Sequence, residues 1–552
     1  MFLERYMLDV ETSKVLKKTS YNKNTKEIAD KIMKNEFHFL KGLETVKFKE
    51  GIDWNYQHKN SPNTYQLYLQ SLDVVSHLCN NYEETQEIKY LKKAYDLIID
   101  WIKYDKKSEQ KNRFRWYDHT VASRSLNIVY FCSLSRDKVK INKKIIYQYL
   151  LKHGNFLFND ENYPQNNHGV MVDRGLISIS LLLGNHKHSK MWLEKSLFRL
   201  RMAYYRDFSY KGTHLENSPD YHSMVRNLFN TTEDFLQKNG MTLGEDICKK
   251  LELTNKYMQI IIKPDSTIPL IGDTSLSRVS VKKNFAPFVD TEAGIAILQR
   301  KNKENLDKST WISFISGYGS KTHKHLDDLS FNLFYMGKDI FVDSGKYNYV
   351  KNDEIRQYIT SPLGHNTIAV KGMEYYITEP IKSNEKIRIT DFTCNSYYDV
   401  VKGINYAYKG IKIKRTLVFY KPSTLIIFDE IKSEHEKEFL QIFNLGKHID
   451  LLDVDNELIR FKSEEVDISI KQVLGGCSLK TFKGDRNVPR AVMSERFGQL
   501  IDIPQLEFSK KGKSVKFLTV IQMGDNTADV YFNDKNNLLE IKDGQVKLNI
   551  PL

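Results

Sequence analysis

Between about Asn24 and about Ile262, apolar residues recur at three- and four-residue steps, the period of an amphipathic helix. "YLKKAYDLIIDWIKY" shows the pattern, with Leu91, Ala94, Leu97, Ile98, Trp101 and Ile102 falling on one face. "HTVASRSLNIVYFCSL", "HGVMVDRGLISISLLLG", "MWLEKSLFRLRMAYYRDF" and "YHSMVRNLFNTTEDFLQ" repeat it. Turn residues interrupt the series in "NDENYPQNN" and "LENSPDY". The spacing predicts about eight to ten helices with short connections, stacked as hairpins into an incomplete α/α toroid. No repeat of fixed period accompanies them, which argues against a solenoid of near-identical units.

Prolines and a glycine in "IIKPDSTIPLIGDTSLSR" end the helical character. After about Ala293 the chain alternates, or runs in β-branched and aromatic residues, between turn signals. "GIAILQRK", "WISFISGYG", "LSFNLFYMGKDIFVDSG", "HNTIAVKG", "KIRITDFT" and "YAYKGIKIKRTLVFYKPSTLIIFDEI" are of this kind, with hairpin turns at "MGKD" and "YKPST". Ten or more strands with no helix between them predict an antiparallel β-sandwich. The expected organisation is a helical toroid domain over 1–285 and a β-sandwich domain over 286–552. A length of 552 residues agrees with two or more cores rather than one.

Composition narrows the chemistry. Hydrophobic residues at 41% and aromatics at 12% suffice to fill such cores. Tyrosine (32) outnumbers phenylalanine (29), and tyrosine lines polar clefts as readily as interiors. That bias suits a carbohydrate-handling protein; a genome rich in Lys and Asn codons would also produce it. With 83 basic against 69 acidic residues the balance is +14, which favours nucleic acid, anionic lipid or acidic polysaccharide as partner. No nucleic-acid module is visible, and the lysines are scattered along solvated helix faces such as "LKKAYDLIIDWIKYDKK". Cys79, Cys132, Cys248, Cys394 and Cys477 are far apart and form no CxxC, so reduced, packed thiols are expected. "MFLERYMLDVETSKVLKK" has acids where a signal peptide needs an apolar core. No apolar run approaches ~18–20 residues, so no membrane insertion is expected and the expected location is cytoplasmic.

Four stretches carry candidate chemistry. In "THKHLDDLSFNLFYMGKDIFVDSG", an extended His323–Asp327 would point His323 and His325 to one side. Asp343 then lies on the returning strand, and His365 follows in "SPLGHNT". His325, Asp343 and His365 have the nitrogen and carboxylate character of a zinc site, with Asp327 and Asp328 available to orient the imidazoles. Hydrogen-bonded histidines at strand ends are the plainer reading of the same spacing. "QNNHG" sets Asn166, Asn167 and His168 at a helix start, where one Asn is expected to cap. "HLENSPDYH" gathers Glu216, Tyr221 and His222 around a Ser-Pro turn. "RFRWYDHTVASR" carries Arg113, Arg115, His119 and Arg124 around Trp116, with Arg113 and Arg115 either a solvated basic patch or binders of acidic sugar.

Together, "NNHG", "ENSPDYH", "GYGSKTHKHLDDLSFNLFYMGKDIFVDSG" and "HNTI" resemble the heparinase II/III-like polysaccharide lyases, and alginate lyases of the same two-domain plan. The resemblance covers roughly residues 110–370 in motifs and the whole chain in architecture. It implies an α/α toroid against a β-sandwich with a substrate cleft between them. It implies that Asn167 and His168 bind a uronate carboxylate, that Tyr221 is the catalytic tyrosine and that His323 is the histidine from the sandwich side. His325, Asp343 and His365 would hold a structural divalent metal, zinc. Arg124, Glu216 and Tyr358 are the expected substrate contacts, with Tyr347 and Tyr349 competing for the place of Tyr358.

The implied reaction is β-elimination: the C5 proton of a uronic acid leaves and the bond to O4 breaks. Neutral amide and imidazole donors at the carboxylate would stabilise the enolate-like charge. A base and an acid complete the step. With D-glucuronate the C5 proton and O4 share a ring face, so Tyr221 alone can serve both roles. With L-iduronate they are opposed, and His323 becomes the separate base. Acting as base, a phenol with an ordinary pKa of about 10 needs nearby cations to lower it. The expected partner is an acidic polysaccharide or oligosaccharide, a glycosaminoglycan or a capsule-like polymer. Two rivals stay open: a non-catalytic binder of acidic polysaccharide or assembly protein with this fold, and a glycoside hydrolase, although no acid-and-nucleophile carboxylate pair stands out.

Overall fold

The structure is a computed structural model that describes residues 7–40, 43–107, 112–377, 384–455, 457–464, 466–524 and 528–552. Residues 1–6, part of the N-terminal stretch read above for a signal peptide, lie outside the described residues. The chain forms two compact units, and the division is not a single cut. A helical unit comprises 1–207 and 225–251; a sandwich unit comprises 208–224 and 252–552.

The helices are α1 (Thr25–Met33), α2 (Pro62–Gln70), α3 (Asp73–Thr85), α4 (Ile88–Lys107), α5 (Asp118–Ser135), α6 (Lys143–Phe158), α7 (Asn167–Leu182), α8 (Ser189–Asp207), α9 (Pro219–Lys238) and α10 (Glu245–Ile261), with a small hairpin of β1 (Glu36–Phe37) and β2 (Val46–Lys47). The helical span is the one the periodicity predicts, and the arrangement is an incomplete α/α toroid. α4 buries the apolar face read from its sequence. α5 differs: it packs against α2, α3, α4, α6 and α7, and from Thr120 onward it is buried on every side. A helix enclosed in this way carries no polar face to solvent.

The sandwich unit is antiparallel at every strand pair. β3 (Phe288–Asp290), β4 (Ile295–Arg300), β5 (Thr310–Ile315), β6 (Ser330–Tyr335) and β7 (Lys338–Phe341) form a five-stranded meander in chain order. β6 and β7 join through Met336 and Gly337, both at positive φ, as the "MGKD" turn requires. A short helix, α11 (Glu354–Thr360), precedes β8 (Ile368–Val370). The large sheet runs β13 (Ile449–Val454), β14 (Leu458–Ser463), β15 (Val466–Gln472), β19 (Pro504–Met523), β12 (Thr424–Asn444), β11 (Ile411–Tyr420), β10 (Tyr398–Asn405) and β9 (Ile387–Cys394). Off that path β8 pairs with β12, and β16 (Ser478–Lys483) pairs with β19. β17 (Val492–Met493) and β18 (Ile501–Asp502) form a small pair, and β20 (Asp529–Asn533), β21 (Leu538–Asp543) and β22 (Val546–Pro551) a C-terminal sheet.

Leu298, Ile312, Phe314, Phe331 and Leu333 of the meander meet Ile413, Leu417, Ile427, Phe443 and Phe508 of the large sheet in one core. The opposite face of the meander, with Ile297, Trp311 and Phe334, packs on Ile260, Ile261 and Ile268. Strands covered on both faces read as unbroken apolar runs, which is why β5 shows no alternation. β9 and the first half of β11 alternate because their outer face is open. The outer face further along is covered by the C-terminal sheet through Val418, Ile426, Leu539 and Ile541.

All five cysteines are free; Cys79, Cys132 and Cys477 are buried as expected, while Cys394 is exposed. Among the described residues no helix is long and apolar enough to cross a membrane.

One buried polar knot ties the sandwich to the loop ahead of β8. Arg415 makes a bidentate pair with Asp429, Nε to Oδ1 at 2.6 Å and Nη2 to Oδ2 at 2.9 Å. Its Nη1 donates to the carbonyls of Leu329 and Asn366, both at 2.8 Å. Asn366 in turn donates to the carbonyls of Phe331 and Val342 and accepts from the Asn444 amide. Removing one member of a buried pair leaves an uncompensated charge. Asp429→Ala is therefore expected to lower unfolding free energy by roughly 3–5 kcal/mol, read from urea denaturation curves.

Candidate active site

Three stretches of the sandwich unit converge. Asn217 donates from its side-chain amide to the carbonyls of Ser320 (2.9 Å) and Thr322 (3.0 Å), binding the turn before α9 to the histidine loop. Gly272 fits between them: a Cβ there would lie 2.4 Å from the Asn217 carbonyl oxygen and 2.8 Å from that of His323. Its φ of +54° is also one that glycine adopts freely. The next residue, Asp273, is thereby delivered to the histidines.

Asp273 holds both histidines of the His-x-His pair. Its Oδ2 meets His323 Nδ1 at 3.0 Å and its Oδ1 meets His325 Nε2 at 3.0 Å, while Arg356 Nη1 lies 2.6 Å from Oδ1. Burial would raise this carboxyl's pKa, but the hydrogen bonds from His323 and His325 and the neighbouring His325 and Arg356 charges outweigh it. The net effect holds Asp273 well below the usual carboxylate range. An ionised carboxylate only accepts, so His323 donates from Nδ1 and His325 from Nε2. In its neutral form each ring then keeps its second nitrogen as an acceptor.

This corrects the strand argument. His323 sits in a turn at φ +59°, so side-chain alternation does not place the two rings. Their common side comes from a shared acceptor on a remote segment. Asp327 and Asp328 do not orient the imidazoles by hydrogen bonding either. Both pair with the buried ammonium of Lys324, and Asp328 Oδ2 also accepts from Tyr375 at 2.8 Å. Burial would lower the Lys324 pKa; the two carboxylates reverse this and raise it.

Tyr221 lies in the first turn of α9, with Pro219 as the helix's first residue and the Ser218 carbonyl accepting from His222. Its ring stacks on His323 at a centroid separation of 3.6 Å and an interplanar angle of 23°. The two rings touch, so no sugar passes between them; a substrate reaches both from one side. The Tyr221 hydroxyl is 3.1 Å from that of Tyr349. Glu216 Oε2 lies 3.9 Å from His323 Nε2. Burial raises the Tyr221 pKa above its ordinary value; the Tyr349 hydroxyl works against this, while Asp273, Glu216 and Asp220 add to it. The net direction is upward, contrary to what a basic role for the phenol requires.

His325, Asp343 and His365 are all buried and bring one ligand atom each within 4.8 Å of one another. Asp343 Oδ2 accepts from His365 Nδ1 at 2.8 Å, and its Oδ1 accepts from the Gly345 amide at 2.9 Å. His325 Nδ1 and His365 Nε2 are buried without a hydrogen-bond partner. Two orphaned imidazole nitrogens beside a carboxylate form a cluster that fits a divalent metal ion.

Two expected substrate contacts are corrected. Tyr358 is buried, and its hydroxyl accepts from the Ala491 amide and the Gln505 side chain, both at 3.0 Å; it braces β17 and β19. Tyr349 is the tyrosine of this loop that reaches Tyr221. Arg124 is buried in the helical unit, donating to His153 Nε2 at 2.8 Å and to the carbonyls of Gln70 and Arg115, with its guanidinium 3.9 Å from the Trp101 ring. Burial pulls its pKa down to about 9. It is a pin of the toroid, not a surface cation. Arg113 is exposed, as a solvated basic residue would be, and Arg115 Nε lies 3.4 Å from Asp105.

In the same unit Asn166 takes the capping role, its side chain accepting from the His168 amide at 2.9 Å. Asn167 is then the first residue of α7, at the positive end of the helix dipole. His168 Nδ1 lies 3.3 Å from Asp118 Oδ1, and both Asn167 and His168 are partly exposed. Gly169 is required by contact: a Cβ would sit 2.5 Å from the Pro164 carbonyl oxygen. Asp273 and Arg356 are the site residues that motif reading missed, and Tyr349 enters it only as a competitor for the place of Tyr358. The local cue to Asp273 was a Gly-Asp turn in "IGDTS", a cue shared with many ordinary turns.

Comparison with known proteins follows the same lines. The family model for the heparinase II/III N-terminus matches residues 4–292, and that for the heparinase II/III-like C-terminal region matches residues 284–516. The chain is 21% identical over 480 residues to a heparin-sulfate lyase of Bacteroides stercoris, covering 75% of this chain and 69% of that protein. It is 20% identical over 483 residues to a heparin-sulfate lyase of Pedobacter heparinus, covering 79% and 69% respectively. A crystal structure of heparinase III superposes with a TM-score of 0.78 at 16% identity, over 97% of this chain and 91% of that one. A heparan sulfate lyase structure from Pedobacter heparinus gives 0.75 at 16% identity, over 98% and 91%. At these identities the structural likeness establishes the shared fold.

The depressed pKa of Asp273 has a definite pH signature. Its contribution to stability is present above the unfolded carboxyl value of about 3.9 and is lost as pH falls toward the lower folded value. With a chelator present, Asp273→Asn is expected to be less stable than the parent by roughly 3–5 kcal/mol at neutral pH. The gap should close as pH drops below about 4, as followed by urea denaturation at stepped pH.

Proposed function

The chain belongs to the heparinase II/III-like family, and on that premise we propose that it is a polysaccharide lyase cleaving a uronate-containing glycosaminoglycan by β-elimination. The observation that carries the reading is the Tyr221–His323 stack with His323 anchored to Asp273. A hydrogen-bonded phenol over an oriented imidazole is an acid and a base in contact. The name heparin-sulfate lyase borne by its relatives favours a glycosaminoglycan over other uronate polymers.

The roles follow from the protonation states. Because His323 donates from Nδ1 to a carboxylate, its Nε2 offers a lone pair, the same orienting logic as in an Asp-His pair of a hydrolase. His323 takes the C5 proton. Tyr221, kept protonated by burial and nearby carboxylates, gives its proton to O4 as the C4–O4 bond breaks and the C4–C5 double bond forms. Since both groups are reached from one side, the preferred unit is one with the C5 proton and O4 on the same ring face, as in D-glucuronate. Asn167 and His168 are assigned, on the family resemblance, to neutralising the uronate carboxylate. Glu216, beside His323 Nε2, is retained as a substrate contact, and Tyr349 replaces Tyr358.

The cluster of His325, Asp343 and His365 would hold a zinc ion that acts structurally by fixing the loop carrying His323. No proton passes through it.

Incubation with a panel of uronate polymers tests the reading. A lyase gives products that absorb in the ultraviolet through the new double bond, and Tyr221→Phe should lower that rate by about 10²–10⁴-fold. Reducing ends without absorbance would indicate a hydrolase, and retention without product a binder. The two histidines should separate. His323→Ala is expected to keep bound zinc and lose turnover, whereas His325→Ala loses zinc and local order together, as read by metal content and near-ultraviolet circular dichroism. A fully active His323→Ala protein would refute its catalytic role.

A further inference from the structure

Beside the C-terminal sheet, the outer face of β9–β12 forms a cavity of about 350 Å³, within the size range of ligand sites, on the order of 300–1,000 Å³. Arg388, Lys402 and Lys414 line it from three adjacent strands. Ile404 of β10 lies directly opposite both Arg388 and Lys414, so those two cations flank it in one cross-strand row. Lys402 stands one step along, at the point where the β9–β10 register shifts; such irregularities re-aim a side chain. Tyr406 and Phe428 add aromatic surface.

Two of the three charges are held by carbonyls, and among the described residues none sits within ion-pair distance of a carboxylate. Arg388 donates to the carbonyls of Asn384 (3.2 Å) and Glu385 (2.6 Å), and Lys402 to that of Pro551 (3.0 Å). Glu430 of the lining stands opposite Lys414 in the same cross-strand row and lies 3.5 Å from Lys432, so the lining keeps an excess of cations rather than a pure cationic face. Other sandwich lysines do have carboxylate partners, as in Lys371–Glu438, Lys421–Asp399 and Lys511–Glu436. An excess of cations over acids in a concave, partly apolar site focuses a field that selects an anion.

We propose that this cavity is an accessory binding site for the anionic sugar units of the polymer, gripping a carboxylate or sulfate ester with Arg388, Lys402 and Lys414. The identity of the ligand rests on the lyase reading; the site itself does not. Affinity electrophoresis of the full chain through gels containing heparan sulfate, or alginate as a carboxylate-only arm, tests it. The double variant Lys402→Ser/Lys414→Ser is compared with a charge-matched control, Lys480→Ser/Lys513→Ser, on exposed lysines outside the cavity. The cavity pair should weaken retention about five- to tenfold, the size of losing two partly screened cations, and the control less than about twofold. Turnover of a short oligosaccharide should be unchanged. Equal weakening by both pairs, or none by the cavity pair, overturns the site. Selective weakening in a protein that cleaves no polymer would sustain the site and discard the lyase reading.

Discussion

The site depends on one carboxylate answering to three cationic or imidazole groups. Asp273 is buried, so ionising it is unfavourable unless donors surround it, and His323, His325 and Arg356 supply them. Because the carboxylate can only accept, it fixes the tautomer of both rings at once. His325 turns its other nitrogen toward Asp343 and His365, and His323 keeps its own beside Tyr221. On the proposed reading, the catalytic and metal-binding geometries are thus two ends of one hydrogen-bonded unit. A shift of Asp273 displaces both.

That unit is held by backbone contacts that tolerate little movement. Asn217 ties the Tyr221 turn to the histidine loop, and Gly272 lets the Asp273 segment slip between them. The stacking of Tyr221 on His323 follows from where these three stretches meet. Beneath them, Asn366 joins the ends of β6, β7 and β12 and so fixes its neighbour His365, while Arg415 closes the knot from the opposite sheet. Buried polar groups in such a network must all be satisfied, which gives the sandwich a single register at the site.

Local periodicity made the helices, the sandwich and the "MGKD" hairpin legible, because each depends on neighbours within a few residues. The family motifs made Tyr221, His323 and the His325–Asp343–His365 cluster legible as candidates. Asp273 escaped because it lies fifty residues before His323 and no spacing rule links them. Asp327 and Asp328 looked better placed in sequence, but Lys324, three and four residues before them, claims both. Arg124 was expected to contact substrate because a helix pattern does not reveal that α5 is enclosed on all sides. Tyr358 and Tyr349 are equally plausible by position; only the burial of one hydroxyl against Gln505 and the reach of the other to Tyr221 separates them.

Net charge proved a poor guide to the site's electrostatics for a related reason. The chain carries a balance of +14, yet the groups around Tyr221 include Asp273, Glu216 and Asp220, which hold its proton in place. A sum over 552 residues says where a polyanion is drawn; the proton on a phenol is decided within a few ångströms. The two scales divide the labour. Diffuse and outer-face cations such as those lining the β9–β12 cavity favour an acidic polymer at long range, while burial and local carboxylates keep the Tyr221 phenol protonated. Had cations crowded Tyr221 instead, the phenol would ionise more readily and be unfit for the donor role proposed for it. On the proposed reading, a net-basic chain whose tyrosine is buried beside carboxylates serves attraction of a polyanion and proton donation together.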